Sequence, residues 1–377
     1  MTVKTNMIPF HKASIGEEEI NEVIDTLKSG WLTMGPKTIE FEKQFSEFTG
    51  AQYAVSMNSA TACLHLALKA IGLKEGDEVI LPTTTFVSTA EVVTYFNATP
   101  VLCDIRFEDH NIDASKIEAL ITEKTKVIIP VHFSGIPCDM DAIHEIAKKH
   151  DLKVIEDAAH SFPSKYKGQT IGTLSDITCF SFYATKTLAT GEGGMATTNN
   201  EEYAKSMTCN RLHGISKDAW NRYSEKGHWY YEVVDNGYKY NMTDIAASLG
   251  LVQLKRAEEL NKKRAIIAQR YNDAFLSNDK IQILNVAQNV QSSWHLYVIK
   301  VENRDELMQQ LKDMGIGTSL HFIPIFNHPY YKNTYGYQSD HYPVAQHIYN
   351  QSISLPIFPD LAFNDVDIII DAVINNV

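Results

Sequence analysis

Short apolar runs alternate with amphipathic segments through the first half of the chain. Residues 54–57, 78–82, 100–104, 127–132, 152–155, 177–182 and 195–198 are brief, apolar and rich in β-branched or aromatic residues, so each reads as a strand. Between them, residues 15–29, 38–48, 62–70, 114–121, 140–150 and 202–212 place apolar side chains at three- and four-residue spacing, which predicts helices. Gly30 stops the first of these, and residues 30–38 (GWLTMGPKT) read as a loop. Strand, helix and strand in alternation predict an α/β fold: a large, mostly parallel sheet with helices on both faces.

The pattern changes after the last of these strands. Residues 213–240 are polar, aromatic and aperiodic, and a stretch that long without an element is usually functional or interfacial. Residues 243–276 carry one long helical pattern leading out of the sheet. A strand at 294–301, a helix at 304–314, a strand at 317–322 and helices at 344–351 and 365–375 then predict a small α+β unit. The expected division is a large unit over 1–250 and a small one over 251–377.

Candidate chemistry sits at the ends of two strands. Glu156 and Asp157 follow the run 152–155, and Lys186 with Gly191, Gly193 and Gly194 follows 177–182. Ligands of open α/β sheets bind outside the carboxyl ends of the strands, so Asp157 and Lys186 are expected on one rim. A lysine that can bond an aldehyde, beside an anion that can keep a ring nitrogen protonated, is what pyridoxal phosphate needs. Taken alone, the aspartate reads first as a helix cap and the lysine as a surface residue; it is the surrounding residues that turn the reading toward the cofactor. After strand 54–57, Ser59, Ala60 and Thr61 open a helix, which suits either an anion at the helix N-terminus or ordinary capping. Phe86, in the loop after 78–82, can stack on a flat ligand or pack in the core. No Walker or G-x-G-x-x-G pattern occurs, which argues against a Rossmann oxidoreductase.

Composition narrows the picture further. Apolar residues are 44% and charged residues 21% of the chain, ordinary for a globular protein. A formal net charge of -12 argues against non-specific nucleic-acid binding. Five cysteines, with no C-x-x-C pair, argue against a disulfide framework or a zinc site and favour a reducing compartment; no metal is expected. The first twenty residues lack the apolar region of a signal peptide and no apolar stretch reaches membrane-spanning length, so the expectation is a cytoplasmic protein without a membrane partner.

Taken together, SGWLTMGPKT, NSATACLHLAL, PVHFSGIPCDMDAI, VIEDAAHSFPSKYKG, CFSFYATKTLATGEGGM, GYKYNMTDIAASLGLVQL and GIGTSLHF resemble, in that order, the DegT/StrS family of pyridoxal-phosphate nucleotide-sugar aminotransferases. The likeness covers essentially the whole chain and is nearest the UDP-4-amino-4-deoxy-L-arabinose–oxoglutarate aminotransferase branch. It implies a fold type I transferase with a seven-stranded mixed sheet, a smaller C-terminal domain, and a homodimer with active sites at the subunit interface. By the resemblance, Lys186 matches the lysine forming the internal aldimine, and Asp157 the partner of the pyridine nitrogen. His160 matches the residue beside the phenolic oxygen. Ser59, Ala60, Thr61 and Ser181 match the phosphate contacts, and Phe86 the stacking aromatic. Asn241 matches a residue reaching the phosphate from the partner subunit. Thr33, Tyr183, His213, His321 and Asn327 are candidate substrate contacts.

The implied reaction takes an amino group from L-glutamate, leaving 2-oxoglutarate, and gives it to a nucleotide-linked 4-keto sugar. A 4-keto-6-deoxyhexose is the expected acceptor, for a surface polysaccharide, lipopolysaccharide (O-antigen) or glycan. Two alternatives stay open: a sugar dehydratase of the same family and a cofactor-binding regulatory protein without turnover. Family dehydratases carry histidine where this chain has Lys186, which favours transamination. Lys239-Tyr240-Asn241 stands where many members read N-Y-R, so the sugar itself is not fixed by the resemblance.

Overall fold

The computed structural model describes residues 7–216 and 231–377. The apolar runs of the first half assemble into one seven-stranded sheet. Its order is Tyr53–Met57, Gly194–Thr198, Ile177–Ser181, Lys153–Asp157, Thr125–Ile128, Glu78–Pro82 and Thr99–Cys103. Gly194–Thr198 runs antiparallel to both its neighbours, and the remaining pairings are parallel.

Alternate side chains of a strand point to opposite faces, and here both faces are covered. Val79, Leu81, Val127, Ile155 and Cys179 pack with Leu64, Leu66 and Leu68 of the helix Ala60–Ile71. Ile80, Ile128, Val154, Phe180 and Met195 pack with Phe41 and Phe45 of the helix Pro36–Thr49 and Ile143 of Met140–Lys149. That is why these strands are continuous apolar runs and not alternating ones.

Helix ends follow the sequence closely where a terminator is local. Glu17–Ser29 stops at Gly30, whose φ of 75° is left-handed. Other boundaries differ. The single helix expected over 243–276 is two, Asp244–Lys255 and Ala257–Phe275, which break at Arg256. The halves serve different cores: Ala247, Leu251 and Leu254 pack beneath the large sheet, while Ile267, Ala268, Tyr271 and Phe275 pack in the small unit. Residue 250 itself lies inside the first half.

The small unit's sheet is Gln282–Ile283, Tyr297–Lys300 and Ser352–Leu355, with helices Arg304–Asp313 and Phe363–Ile374 against it. The strand expected at 317–322 does not form. Gly317 N–H bonds Ile8 O at 2.8 Å and Ser319 makes one bridge to Ser354, after which the chain turns toward the large sheet. The edge beside Tyr297–Lys300 is instead filled by Ser352–Leu355, which its polar serines had hidden. Packing also crosses between the units: Ile325, Phe326, Ala345 and Ile348 bury against the large sheet, and Ile8 against the small one. Among the described residues no helix is long and apolar enough to cross a membrane, and no cluster of His, Cys, Asp or Glu could hold a metal ion.

Candidate active site

The carboxyl ends of the strands open into a cavity of about 440 Å³. Of the residues singled out from the sequence, Ser59, Ala60, Thr61, Phe86, Asp157, His160, Ser181, Tyr183, Lys186 and His321 line it. A slightly larger groove of about 480 Å³, lined by Met34, Tyr53, Thr208 and Val234 among others, contains neither this lysine nor this aspartate. Convergent chemistry, not size, marks the first as the candidate site.

Lys186 stands on a loop closed at its base. Phe182 N–H bonds Gly193 O at 2.9 Å and Thr190 N–H bonds Phe182 O at 2.8 Å, while Lys186 N–H turns back to Tyr183 O at 2.8 Å. Ser181 Oγ accepts from Tyr183 N–H at 3.3 Å. Withdrawal from water pushes the Lys186 ammonium down to about 8, against the pull of Asp157. The amine therefore gives up its proton far more readily than an ordinary lysine and is free base above about pH 8, the form in which lysine is a nucleophile or a base.

Asp157 is the last residue of its strand and is 4% exposed. Its carboxylate accepts from Thr89 Oγ1 at 2.8 Å and from Ala159 N–H at 3.1 Å. Thr89 spends its one proton there, so Thr85, 2.7 Å away, donates to Thr89. Burial raises the Asp157 carboxyl above its ordinary value; the bonds from Thr89 and Ala159 and the charge of Lys186 oppose this. A cation bound beside it would repay that burial.

The histidines can be assigned. Ser134 N–H donates to His160 Nδ1 at 3.3 Å, so the His160 proton is on Nε2. Burial pushes His160 well below its ordinary value, and Lys186 adds to this, so the ring is neutral. His321 Nδ1 lies 2.9 Å from Ser354 Oγ, and its ring stacks on Phe10. Beneath the site, Cys138 N–H donates to His132 Nδ1 at 3.1 Å and His132 Nε2–H donates to Glu156 Oε2 at 2.8 Å. Burial would raise the Glu156 carboxyl, but the His132 and Thr178 bonds outweigh it and hold it below its ordinary value. Glu156→Ala is expected to destabilise by about 3 kcal/mol, read by urea unfolding at neutral pH. A carboxyl depressed in the fold stabilises above its unfolded pKa, so the loss should shrink as pH falls through the folded value.

The helix Ala60–Ile71 aims its N-terminus at the cavity. Ser59 caps it, its Oγ accepting from Ala62 N–H at 3.1 Å. Gly194 presses against this turn: a Cβ there would lie 2.5 Å from Ser59 C and 2.7 Å from Ala60 N. That contact is with backbone and cannot rotate away. Gly194→Ala is expected to weaken binding of pyridoxal phosphate at least about tenfold, through loss of one or more charge-assisted bonds. Equilibrium titration of the visible absorbance checks this, and unchanged affinity would show that the turn is not a phosphate cradle.

Four of the sequence candidates lie elsewhere in the single chain. Thr33 O accepts from Asp244 N–H at 3.1 Å on the loop before Pro36–Thr49. His213 is exposed, and its N–H bonds Tyr238 O. Asn327 Nδ2 donates to Gln346 Oε1 at 3.1 Å. Asn241 pairs with Met57 as a bridge and accepts from Lys239 Nζ. Part of the aperiodic stretch, 217–230, lies outside the described residues. The cavity also holds residues the sequence did not single out: Thr85, Ser88, Glu192, His295 and Phe322. His295 is 109 positions from Lys186, and nothing local marks it.

A lysine at a strand-end loop, a buried carboxylate and a hydroxyl-rich helix N-terminus, placed around one cavity, fit pyridoxal phosphate; the fold and site are those of a fold type I pyridoxal-phosphate-dependent transferase. The chain belongs to the DegT/DnrJ/EryC1/StrS aminotransferase family, whose profile matches residues 13–374. It is 49% identical to the spore coat polysaccharide biosynthesis protein SpsC of Bacillus subtilis, covering 98% of this chain and 97% of that one. It is 39% identical to UDP-4-amino-4-deoxy-L-arabinose–oxoglutarate aminotransferase of Shewanella sediminis, covering 98% of each. The pyridoxamine-phosphate form of Spr1654 from Streptococcus pneumoniae, provisionally named a sugar aminotransferase, superimposes with a TM-score of 0.92 at 40% identity over 97% of this chain and 98% of that one. A pyridoxal-phosphate form of the same protein is similar to the same degree. The protein is thus a pyridoxal-phosphate-dependent sugar aminotransferase.

Proposed function

We propose that this enzyme transfers the amino group of L-glutamate to the keto carbon of a nucleotide-linked 4-keto sugar, a 4-keto-6-deoxyhexose for choice. The observation that carries this is the meeting of Lys186 with Asp157 in one cavity beside the Ser59–Thr61 turn. Lysine at 186, where the family's dehydratases have histidine, favours transfer over dehydration. The name of the Shewanella sediminis relative supports an oxoglutarate-linked donor and a UDP sugar. The name of SpsC supports a polysaccharide destination for the product.

In this reading bound pyridoxal phosphate supplies an electron sink conjugated to the reacting carbon. Lys186 Nζ would hold the cofactor and, once released, would serve as the base that carries a proton at the reacting carbon. Asp157 would keep the ring nitrogen protonated, His160 Nε2–H would donate to the ring oxygen, and Phe86 would cover the ring. Ser59, Ala60, Thr61 and Ser181 hold the phosphate; Tyr183 and His321 face the substrate.

We place the enzyme in a homodimer, with Asn241 reaching the partner's phosphate site and Thr33, His213 and Asn327 available to the substrate near that interface. Ile20, Ile24 and Leu27 are 44%, 40% and 52% exposed at one helical face of Glu17–Ser29, the kind of apolar face that marks an interface. All five cysteines are free, which suits a cytoplasmic enzyme.

The test is the visible absorbance of the pure protein. L-glutamate should convert the bound aldehyde form to the amine form, and a panel of 4-keto nucleotide sugars should restore it. Failure of every sugar after a successful glutamate step would sink the acceptor class alone.

A further inference from the structure

We infer that His295 is a positioning residue for Lys186: its Nε2–H donates to the unprotonated lysine amine and holds that amine at the cavity wall whenever the lysine is not bonded to cofactor. The inference deepens the reading of Lys186 as the cofactor-binding lysine and rests on it.

His295 precedes the strand Tyr297–Lys300 of the small unit, yet it is 6% exposed and lines the cavity of the large one. Its Nε2 lies 3.4 Å from Lys186 Nζ. Its Nδ1 is buried and has no hydrogen-bond partner among the described residues. These facts fix the tautomer. With the proton on Nδ1, a buried N–H would be orphaned, which folded proteins very rarely tolerate. With the proton on Nε2, only a lone pair goes unused. An Nε2–H needs an acceptor, and an ammonium has none. The bond therefore forms with the lone pair of the neutral amine, the form that takes over as pH rises through about 8.

The surrounding charges agree. The groups that act on Lys186 and His295 are Asp157, His160, His321 and Arg264, with His11 near the lysine. Burial, then Lys186, His160, Arg264 and His321 in turn, push His295 well below its ordinary value. A ring so placed does not take the lysine's proton to become a cation. Only Asp157 favours the ammonium, and it has its own bonds to Thr89 and Ala159. The His160 ring, centred 4.4 Å from that of His295 and tilted 50° to it, packs against it.

The role matters in the half of the cycle when the cofactor carries the amino group. The lysine is then loose, and a flexible side chain must be returned as a free base to the reacting carbon. A donor anchored on the small unit makes that return depend on how the two units are set against each other.

The test measures the lysine directly, without turnover. The full chain, stripped of cofactor, is trace-labelled with acetic anhydride between about pH 6 and pH 11, and labelling of Lys186 is followed by peptide mass spectrometry. In the wild type the midpoint should lie near 8. His295→Phe keeps a ring and excludes water but removes the donor, and should raise the midpoint by about half a unit to one unit, the worth of one hydrogen bond. His295→Gln retains an N–H and should stay near the wild type. A midpoint that is unchanged or lower in His295→Phe would overturn the inference while leaving Lys186 as the cofactor lysine. A wild-type midpoint near the ordinary lysine value overturns it without any variant. Lys186 protected by added pyridoxal phosphate upholds the underlying reading. No protection there overturns that reading and the inference together.

Discussion

Lys186→Ala is expected to lower turnover by at least about 10⁴-fold, because in the proposed mechanism it removes both the covalent hold on the cofactor and the group that moves the proton. The comparison with Lys186→Arg separates chemistry from charge. Arginine keeps a cation in the cavity but stays protonated and cannot serve as a base. Both variants should lose turnover, and their stability gaps to wild type should move oppositely: the alanine's closes as the wild-type lysine loses its proton, while the arginine's opens, because its buried cation is never relieved. The Lys186 amine falls from its ordinary value to about 8 in the fold. The native state then binds fewer protons than the unfolded one between about pH 8 and the ordinary lysine pKa. The buried ammonium therefore costs stability below pH 8, and that cost disappears as pH rises through the unfolded value. Cofactor-free Lys186→Ala should melt higher than wild type at pH 7, with the gap closing above about pH 10.5. A variant that turned over at even a hundredth of the wild-type rate would remove Lys186 from the centre of the reaction.

Asp157→Asn is the second large effect. The side chain keeps its shape and loses its charge; Thr89 donates to Oδ2 and Ala159 N–H to Oδ1, so the one amide oxygen keeps only one of these two bonds. Without the anion the ring nitrogen is no longer held protonated, and turnover should fall by about 10²–10³-fold. Stability should move the other way. Burial raises the Asp157 carboxyl in the fold, so the native state holds its proton to higher pH than the unfolded chain does. Ionised Asp157 costs stability at neutral pH, and the cost is relieved as pH falls toward the unfolded value near 3.9. The cofactor-free variant should therefore melt higher than wild type at pH 7, by on the order of a few degrees, and equal to it in acid. Lower activity with higher stability would mark Asp157 as a residue kept for chemistry; a variant both fully active and no more stable contradicts its assignment.

Such residues explain what could be read early. The strands were legible because both faces of the large sheet are covered, so Val79–Leu81 or Val127–Ile128 stand out as unbroken apolar runs. Gly30 was legible because a left-handed helix end is a local demand that glycine meets best. Asp157 and Lys186 were legible because strand ends place side chains at a predictable rim. The third small-unit strand, Ser352–Leu355, was not: Ser352 and Ser354 are buried by the fold, Ser354 against His321, and local pattern carries no sign of that burial.

The sequence by itself determined the alternation of strands and helices, the rim on which the chemistry stands, and the family. Those follow from local spacing and from motifs in order. Only the tertiary structure decided that the helix after residue 243 breaks at Arg256 to serve two cores, and that 317–322 leaves its sheet to bring His321 to the cavity. It alone brought Thr85 and Thr89 to the carboxylate and His295 to the lysine across 109 residues. A proton's position depends on what lies within a few ångströms of it, and chain order does not record that distance.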